Sequence, residues 1–438
     1  MILAPNRQQL LSGNKFLWVL LIPISLVSCG AFRKTQYTYC PQNEVVTISE
    51  KQKDTVVENI HHDFTLLDIK SVKDEIAYTS VEFKGDYYDF PVHKKNFNIA
   101  ILLPFHSDAV NSVSDKRRAD LMLEYYQGML TAIEHIEALN SKFTLHFFDT
   151  DNDTNKLKAI LKKPEMDDID LIIGPTDEEQ LKIAAYFARK REIPLFSPIT
   201  VVEKLWTNNP FFFNLNPSDQ MQAKDFLRYF KANHPGEKLV IVRDGKRYDL
   251  AFGKALVQEC IAQKINYQAV PFSKYLKWAD YLGNGKAVIV HTTLDKTNLT
   301  YSVNGLLGKG DRITLIGPDK WLGFSDIDYK QWDQVNISFV STNKAFIALE
   351  DSSSMVAIYR TMYYDDPSTY AFMGYDQLLF ACESLDAFGK YFPIFLTDKS
   401  VSYNNTDFHL VKSANCFQNR FLQVFRFEEM AIVPVTNY

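Results

Sequence analysis

The side chains best equipped for chemistry in this chain of 438 residues carry oxygen and stand at the ends of short apolar runs. Asp149-Thr150-Asp151-Asn152-Asp153 has the alternate-oxygen spacing that opens a calcium loop. It lacks Gly at the sixth position and Glu at the twelfth, so an Asp-rich loop capping the next helix explains it better than a metal does. Thr176-Asp177-Glu178-Glu179 sets a hydroxyl and a carboxylate at capping-box spacing, and Thr200 with Glu203 repeats that spacing. His61-His62-Asp63 has metal-ligand chemistry, but adjacent histidines in a polar stretch read as exposed side chains. There is no G-x-S-x-G, no H-E-x-x-H, no phosphate-binding G-x-x-x-x-G-K and no G-x-G-x-x-G between a strand and a helix. The expectation is therefore a protein that is not an enzyme and holds no metal or cofactor.

The elements that must position these groups follow from the apolar periodicity. Residues 98–104 form a continuous apolar strand, and 118–140 a helix with Leu121, Tyr125, Met129, Ala132, Ile133 and Ile136 on one face. Strands at 143–148, 170–174 and 194–197 then alternate with helices at 154–163 and 177–190. Asn216-Pro217 reads as an N-cap followed by proline at the first helical position, opening a helix that runs to about Asn233. After His234-Pro235-Gly236 the alternation restarts, with strands at 238–242, 267–270, 287–291, 312–317 and 336–341. A long helix at 375–388 and an alternating tail at 417–435, in the manner of antiparallel strands, complete the chain. Strands apolar on both faces and separated by helices imply parallel sheets covered on both sides.

In such sheets ligands bind beyond the carboxyl ends of the strands. That rule selects Phe105, Ser107, Asp149, Thr176, Asp177 and Ser197 to Thr200 in the first unit. In the second it selects Arg243, Asp244, Thr292, Thr293, Asp319 and Trp321.

Three local patterns carry a resemblance to a known family: Asp170-Leu-Ile-Ile-Gly174-Pro175 followed by Ile193-Pro194-Leu-Phe-Ser197-Pro198; Phe212-Phe213-Asn214 leading to Pro217-Ser218-Asp219; and Pro367-Ser-Thr-Tyr370-Ala371 leading to Gly374-Tyr375-Asp376. In this order and spacing, residues 97–438 resemble the type I periplasmic binding proteins, of the leucine/isoleucine/valine-binding kind and similar Bacteroidota lipoproteins. The resemblance implies an α/β fold of two lobes, each a parallel sheet with helices on both faces, hinged by crossovers. The expected division is 97–234 with 343–398 in lobe 1, and 235–342 with 399–438 in lobe 2. It also implies a small-molecule ligand, amino-acid-like in kind, trapped as the lobes close.

The detail departs from an amino-acid binder. In that family the loop after the Gly174-type strand offers hydroxyls and helix N–H groups to a ligand carboxylate. Here Thr176 and Glu179 can satisfy those donors, and the neighbouring acids repel a carboxylate. Ser197-Pro198-Ile199-Thr200-Val201 keeps the Ser-Pro, but Val201 stands where a second hydroxyl is expected. Gly317-Pro318-Asp319 resembles the loop that supplies an acid to a ligand amine, with Trp321 as an apolar wall; a solvated turn residue is the alternative for Asp319.

The N-terminus decides location. Arg7 and Lys15 precede a nearly all-apolar run from Phe16 to Val27, and Ser28-Cys29 ends it. The run is short for a membrane span and reads as an export signal, residues 1–28. Leu26-Val27-Ser28-Cys29 resembles a lipobox, so Cys29 is the expected lipidation site and the membrane a partner through that anchor. Gly30 follows, with no aspartate to retain the protein at the inner membrane, which by resemblance favours the outer membrane and a periplasm-facing body. Residues 29–96 read as a polar tether with short strands, Ile76 to Phe83 alternating weakly. Cys260 and Cys382 fall in helical stretches as buried apolar side chains, and no spacing among the five cysteines predicts a disulfide or a zinc site.

Hydrophobic residues at 46% provide a sizeable core, while a net charge of −5 gives no reason to expect nucleic acid. Two functions remain. One is a substrate-binding or sensing protein of ABC-transporter type, with an inner-membrane permease as partner. The other is a regulatory or scaffold lipoprotein, resembling the activators of penicillin-binding proteins, that uses the fold to contact a cell-wall synthase.

Overall fold

The computed structural model describes residues 94–107, 112–201, 209–245, 250–344, 354–396, 400–413 and 416–435, with four strands nearer the N-terminus. Those strands are Val45–Ile48, Lys70–Val72, Tyr78–Phe83 and Asp86–Pro91. The export signal with Cys29, Cys40, the His61-His62-Asp63 triplet and Glu203 lie outside the described residues.

Continuous apolar runs become the inner strands of two sheets. The first sheet has nine strands. Asn96–Leu103 is its third strand, paired in parallel with Lys142–Asp149 on one side and Leu171–Ile173 on the other. Leu195–Ser197, Phe212–Asn214 and Cys416–Asn419 extend it in parallel; Asp407–Ser413 and Ser400–Ser402 finish that side antiparallel. At the opposite edge Val45–Ile48 pairs antiparallel with Lys142–Asp149, in the register Val45 to His146, so a piece of the polar extension joins the body. The remaining early strands form a separate antiparallel sheet, in which the weakly alternating run appears as Tyr78–Phe83.

The second sheet has seven strands. Tyr267–Pro271, Lys238–Arg243, Ala287–His291, Ile313–Pro318 and Ile337–Ser341 run parallel, and Gln423–Glu428 with Ala431–Pro434 turn antiparallel at the edge. The fold is thus the two-lobed α/β arrangement that the patterns imply.

Successive side chains of a strand point to opposite faces, so each sheet has two cores. In lobe 1, Phe97, Ile99, Ile101 and Leu103 pack with the helices Val113–Thr131 and Thr369–Phe388, while Ala100 and Leu102 pack with Glu178–Arg191. The first two helices approach at glycines: a Cβ on Gly128 would lie 1.8 Å from the Ala371 carbonyl oxygen, and one on Gly374 1.9 Å from that of Tyr125. Only Gly permits that backbone contact.

The chain passes between lobes after Asn214, after Ser341 and after Asn419. Two segments therefore sit in the lobe opposite to the expected one. The helix Asp219–Asn233 buries Ala223, Phe226, Leu227 and Phe230 against Leu239 and Ile241 of lobe 2. Residues 400–419 complete the sheet of lobe 1, leaving only the last hairpin to lobe 2. The physical reason is that alternation makes a strand without choosing the sheet edge it joins. The helix also opens two residues later than Pro217 would place it, with Ser218 as N-cap accepting from the Met221 N–H at 3.1 Å. Among the described residues no helix is long and apolar enough to cross a membrane.

Candidate functional site

In lobe 1 the polar groups at the carboxyl ends of the strands are turned onto the protein's own backbone. Asp149 Oδ1 accepts from the N–H groups of Phe105 (2.9 Å), His106 (3.3 Å) and Asp151 (2.9 Å). Its Oδ2 accepts from the Ser107 N–H at 2.8 Å and hydroxyl at 2.5 Å. Burial alone would disfavour the charge, but these hydrogen bonds and nearby Lys156 outweigh it and hold the carboxyl below its ordinary range. Lys156 pairs with Asp151 at 2.5 Å, and Asp153 caps the helix Thr154–Ile160 by accepting from the Asn155 N–H. The Asp-rich loop is a capping and loop-organising structure, and no group of His, Cys, Asp and Glu able to hold a metal occurs among the described residues.

The next loop is closed in the same way. Asp177, rather than Thr176, is the N-cap of Glu178–Arg191 and accepts from the Glu179 and Gln180 N–H groups at 2.9 and 3.3 Å. The capping box at Thr176 is corrected by one residue, because Asp177 holds the extended N-cap backbone conformation and its carboxylate reaches both N–H groups. The Thr200 hydroxyl donates to the Thr176 carbonyl and that of Ser197 to the Thr200 carbonyl. Gln377 and Asn216 hold the Pro198 carbonyl from the far side at 2.9 and 3.1 Å. Phe105 is core, set edge-on against Tyr126.

Lobe 2 has the same topology and a different outcome. A cleft of about 190 Å³ opens at the carboxyl ends of its strands. Thr292, Gly317 to Lys320 and Val340 to Thr342 line it from the sheet. Asp219 and Gln222 of the crossover helix, with Leu250 and Phe252 at the start of Ala251–Ala262, form the opposite wall. Asp319 Oδ2 accepts from the Ser341 hydroxyl at 2.5 Å and from Asn343 Nδ2 at 3.4 Å. Burial pushes its carboxyl above the usual range against the pull of those hydrogen bonds. Asp319 is thus a fixed, partly buried carboxylate at a cavity rim rather than a solvated turn residue.

Four of the six groups expected in lobe 2, Arg243, Asp244, Thr293 and Trp321, do not line the cleft. Trp321 is fully buried and donates its indole N–H to the Thr293 carbonyl at 2.8 Å; a Cβ on Gly317 would lie 2.1 Å from its ring. The reading of Trp321 as a ligand wall is therefore corrected: it is core. Thr293 is also buried, its hydroxyl donating to Asp244 Oδ2 at 3.0 Å and accepting from the Asp295 N–H. Neighbouring His291 is hydrogen bonded to Ser302 at 3.1 Å and stacked on Phe272; burial lowers its pKa to about 3, so it is neutral. Of the sequence-derived candidates the cleft gathers Thr292 and Asp319. Ser341 was missed although it ends a recognised strand, so the carboxyl-end rule alone would have found it. Asp219, Gln222, Leu250 and Phe252 come from helix starts, where that rule gives no signal.

Two parallel-sheet lobes with a cleft at the carboxyl ends of one of them define a type I periplasmic binding fold. Residues 117–271 match the family model for periplasmic binding proteins. Among solved structures, the C-domain of LpoA from Haemophilus influenzae, a regulator of PBP1A, is 12% identical with a TM-score of 0.55, covering 77% of this chain and 100% of its own. A branched-chain amino acid ABC transporter periplasmic ligand-binding protein from Burkholderia xenovorans is 12% identical with a TM-score of 0.51, covering 78% and 94%. An ABC transporter substrate-binding protein from Desulfitobacterium hafniense is 16% identical with a TM-score of 0.50, covering 78% and 100%. At these identities the likeness shows the fold. No curated protein sequence matches this one.

Proposed function

We propose that this protein is a lipid-anchored, periplasm-facing binding protein that takes up a small solute in the cleft of lobe 2, as a substrate-binding or sensing protein of ABC-transporter type. The observation that carries this reading is the cavity at the carboxyl ends of the lobe 2 strands, where Thr292, Asp319 and Ser341 meet the apolar wall of Leu250 and Phe252. The anchor on Cys29 and an outer-membrane position rest on the N-terminal sequence. Cys29→Ala should leave the protein unlipidated and soluble, and unchanged membrane fractionation would remove the anchor from the proposal.

The test of binding is thermal unfolding of the detergent-solubilised lipoprotein against amino acids, short peptides, nucleosides and cell-wall fragments. A ligand at about 100 times its dissociation constant adds roughly 2.7 kcal/mol, a readily seen rise in Tm. A specific observation supports a second reading, a scaffold that contacts a cell-wall synthase. The loops of lobe 1 engage their own hydroxyls and capping carboxylates, so that lobe has little left with which to clamp a ligand. Absence of any shift, with crosslinking to a synthase in cells, would favour it.

A further inference from the structure

We infer that the buried carboxyl of Asp376 carries a proton that it shares with Asn405. That proton fastens the crossover after Ser341 to lobe 1, so the link between the lobes tightens in acid and loosens in alkali. This goes beyond the solute-binding reading and does not rest on it.

The first argument is a surplus of acceptors. Asp376, in the Gly374-Tyr375-Asp376 pattern of the helix Thr369–Phe388, is fully buried. Its Oδ2 accepts from the N–H groups of Asn405 at 2.7 Å and Thr406 at 3.2 Å, in the turn joining Ser400–Ser402 to Asp407–Ser413. Its Oδ1 is buried with no hydrogen-bond partner, and so is Oδ1 of Asn405, the residue it already holds. Each bare acceptor in a buried contact is costly. A proton on Asp376 Oδ1 makes that oxygen a donor and gives Asn405 Oδ1 its hydrogen bond, which removes both costs at once.

The second argument is charge. Lys344 is the cation beside Asp376, and its ammonium already pairs with Asp407 at 2.6 Å. Glu383, on the same helix, adds a second buried carboxyl, which accepts from the Tyr403 hydroxyl of the same turn at 2.5 Å. The other titratable groups packed around the two acids are Tyr375, Cys382 and Asp386 of the helix, with His135 and Glu134 beyond Tyr375. Burial lowers the pKa of His135, so it adds no positive charge at neutral pH. Burial pushes Asp376 up to about 7 against its backbone hydrogen bonds and Lys344, and Glu383 up to about 8 against its bond from Tyr403. With both values raised, the grip is complete below their ordinary range and is lost as pH rises through the folded values.

The turn is where lobe 1 holds the later crossovers. The Lys344 N–H donates to the Asn405 carbonyl at 2.6 Å. Its ammonium also bonds the Ser402 hydroxyl at 3.1 Å and lies over the Phe421 ring. Lys344 ends the crossover after Ser341, and Phe421 belongs to the one after Asn419. From lobe 2, Asp319 holds Asn343 at 3.4 Å. Loosening the turn therefore frees the lobe 1 side of both.

Hydrogen exchange of the full-length lipoprotein in detergent, corrected for intrinsic amide rates, reads the grip at the amides of Lys344, Tyr403, Asn405 and Thr406. Their protection should fall at least about tenfold between about pH 5 and pH 8, while Ile313–Pro318 in lobe 2 changes less. Asp376→Asn keeps an acceptor for the turn and supplies a permanent donor to Asn405. It should hold its protection at pH 8, and the infrared carboxylic-acid band at pH 6 should lose a buried component. Level protection across this range in the wild type would overturn the proposal, as would an unaltered pH dependence or an unaltered infrared band in Asp376→Asn. Glu383→Gln tests the same point where Asp376→Asn does not fold. It should keep the fall that Asp376 produces, and a flat profile there would assign the effect to Glu383 and overturn the proposal.

Discussion

The two lobes share a topology and differ in where their polar side chains point. In lobe 1, Asp149 gathers the 105–107 loop, Asp177 closes a helix, and Ser197 and Thr200 donate to carbonyls three and twenty-four residues back or forward along the chain. In lobe 2, Asp319 and Ser341 hold each other at the rim of a cavity that the crossover helix walls in. The same position at a parallel strand's carboxyl end can thus organise a loop or face a ligand. Which role it takes depends on whether nearby backbone donors and acceptors already use the side chain. Five substitutions test this contrast.

Trp321→Ala should have the largest effect. The ring is fully buried against Gly317 and Phe339, so its loss should cost about 3–5 kcal/mol in denaturant unfolding. Unchanged stability with lost ligand affinity would return Trp321 to the cleft and make lobe 2 more open than described.

Asp149→Asn comes next, at about 2 kcal/mol at neutral pH, because an amide cannot accept the same set of donors at full charge. The sign with pH is fixed by linkage. The folded carboxyl lies below its ordinary value of 3.8, so its contribution is present above that value and is lost as pH falls through the folded pKa. Wild type and variant should converge in stability in acid. A constant gap across pH would show that the carboxylate does not organise the loop through its charge.

The sheet assignments were legible because parallel strands buried on both faces appear as unbroken apolar runs, such as 98–104 and 287–291, punctuated by Gly, Pro and Asp. Lobe membership was less so. Phe226 and Phe230 mark a buried helix face but carry no information about which sheet it covers, and the 400–419 strands choose their edge through non-local pairing. Caps were misplaced by a residue or two where several competent side chains adjoin, as in Thr176-Asp177 and Asn216-Pro217-Ser218. Trp321 was misread for a related reason: a residue three positions after a strand can turn into the core or out to a cleft, and only the space left by Gly317 settles it.

Thr200→Val and Thr292→Val form a matched pair with smaller effects. Removing the Thr200 hydroxyl takes a hydrogen bond from the Thr176 carbonyl and should cost about 1 kcal/mol of stability, with ligand affinity unchanged. Thr292→Val should weaken ligand binding, since that side lines the cleft. Equal losses of affinity in both variants would mean that the lobes close together on the ligand and that lobe 1 is not self-contained.

Asp319→Asn should change the stability of the ligand-free protein least, by less than about 1 kcal/mol, and with the opposite pH behaviour to Asp149. Its folded carboxyl lies above the ordinary value, so its favourable contribution is complete below that value and declines as pH rises through the folded pKa. At neutral pH the ionised carboxylate is carried at a cost that the amide avoids, while the amide oxygen can still accept from Ser341. The variant should therefore be no less stable than wild type near pH 7 and relatively less favoured in acid, as followed by Tm across pH. A marked loss of stability at neutral pH would show that Asp319 organises its loop as Asp149 does, and the contrast between the lobes would fail at the residue on which it most depends.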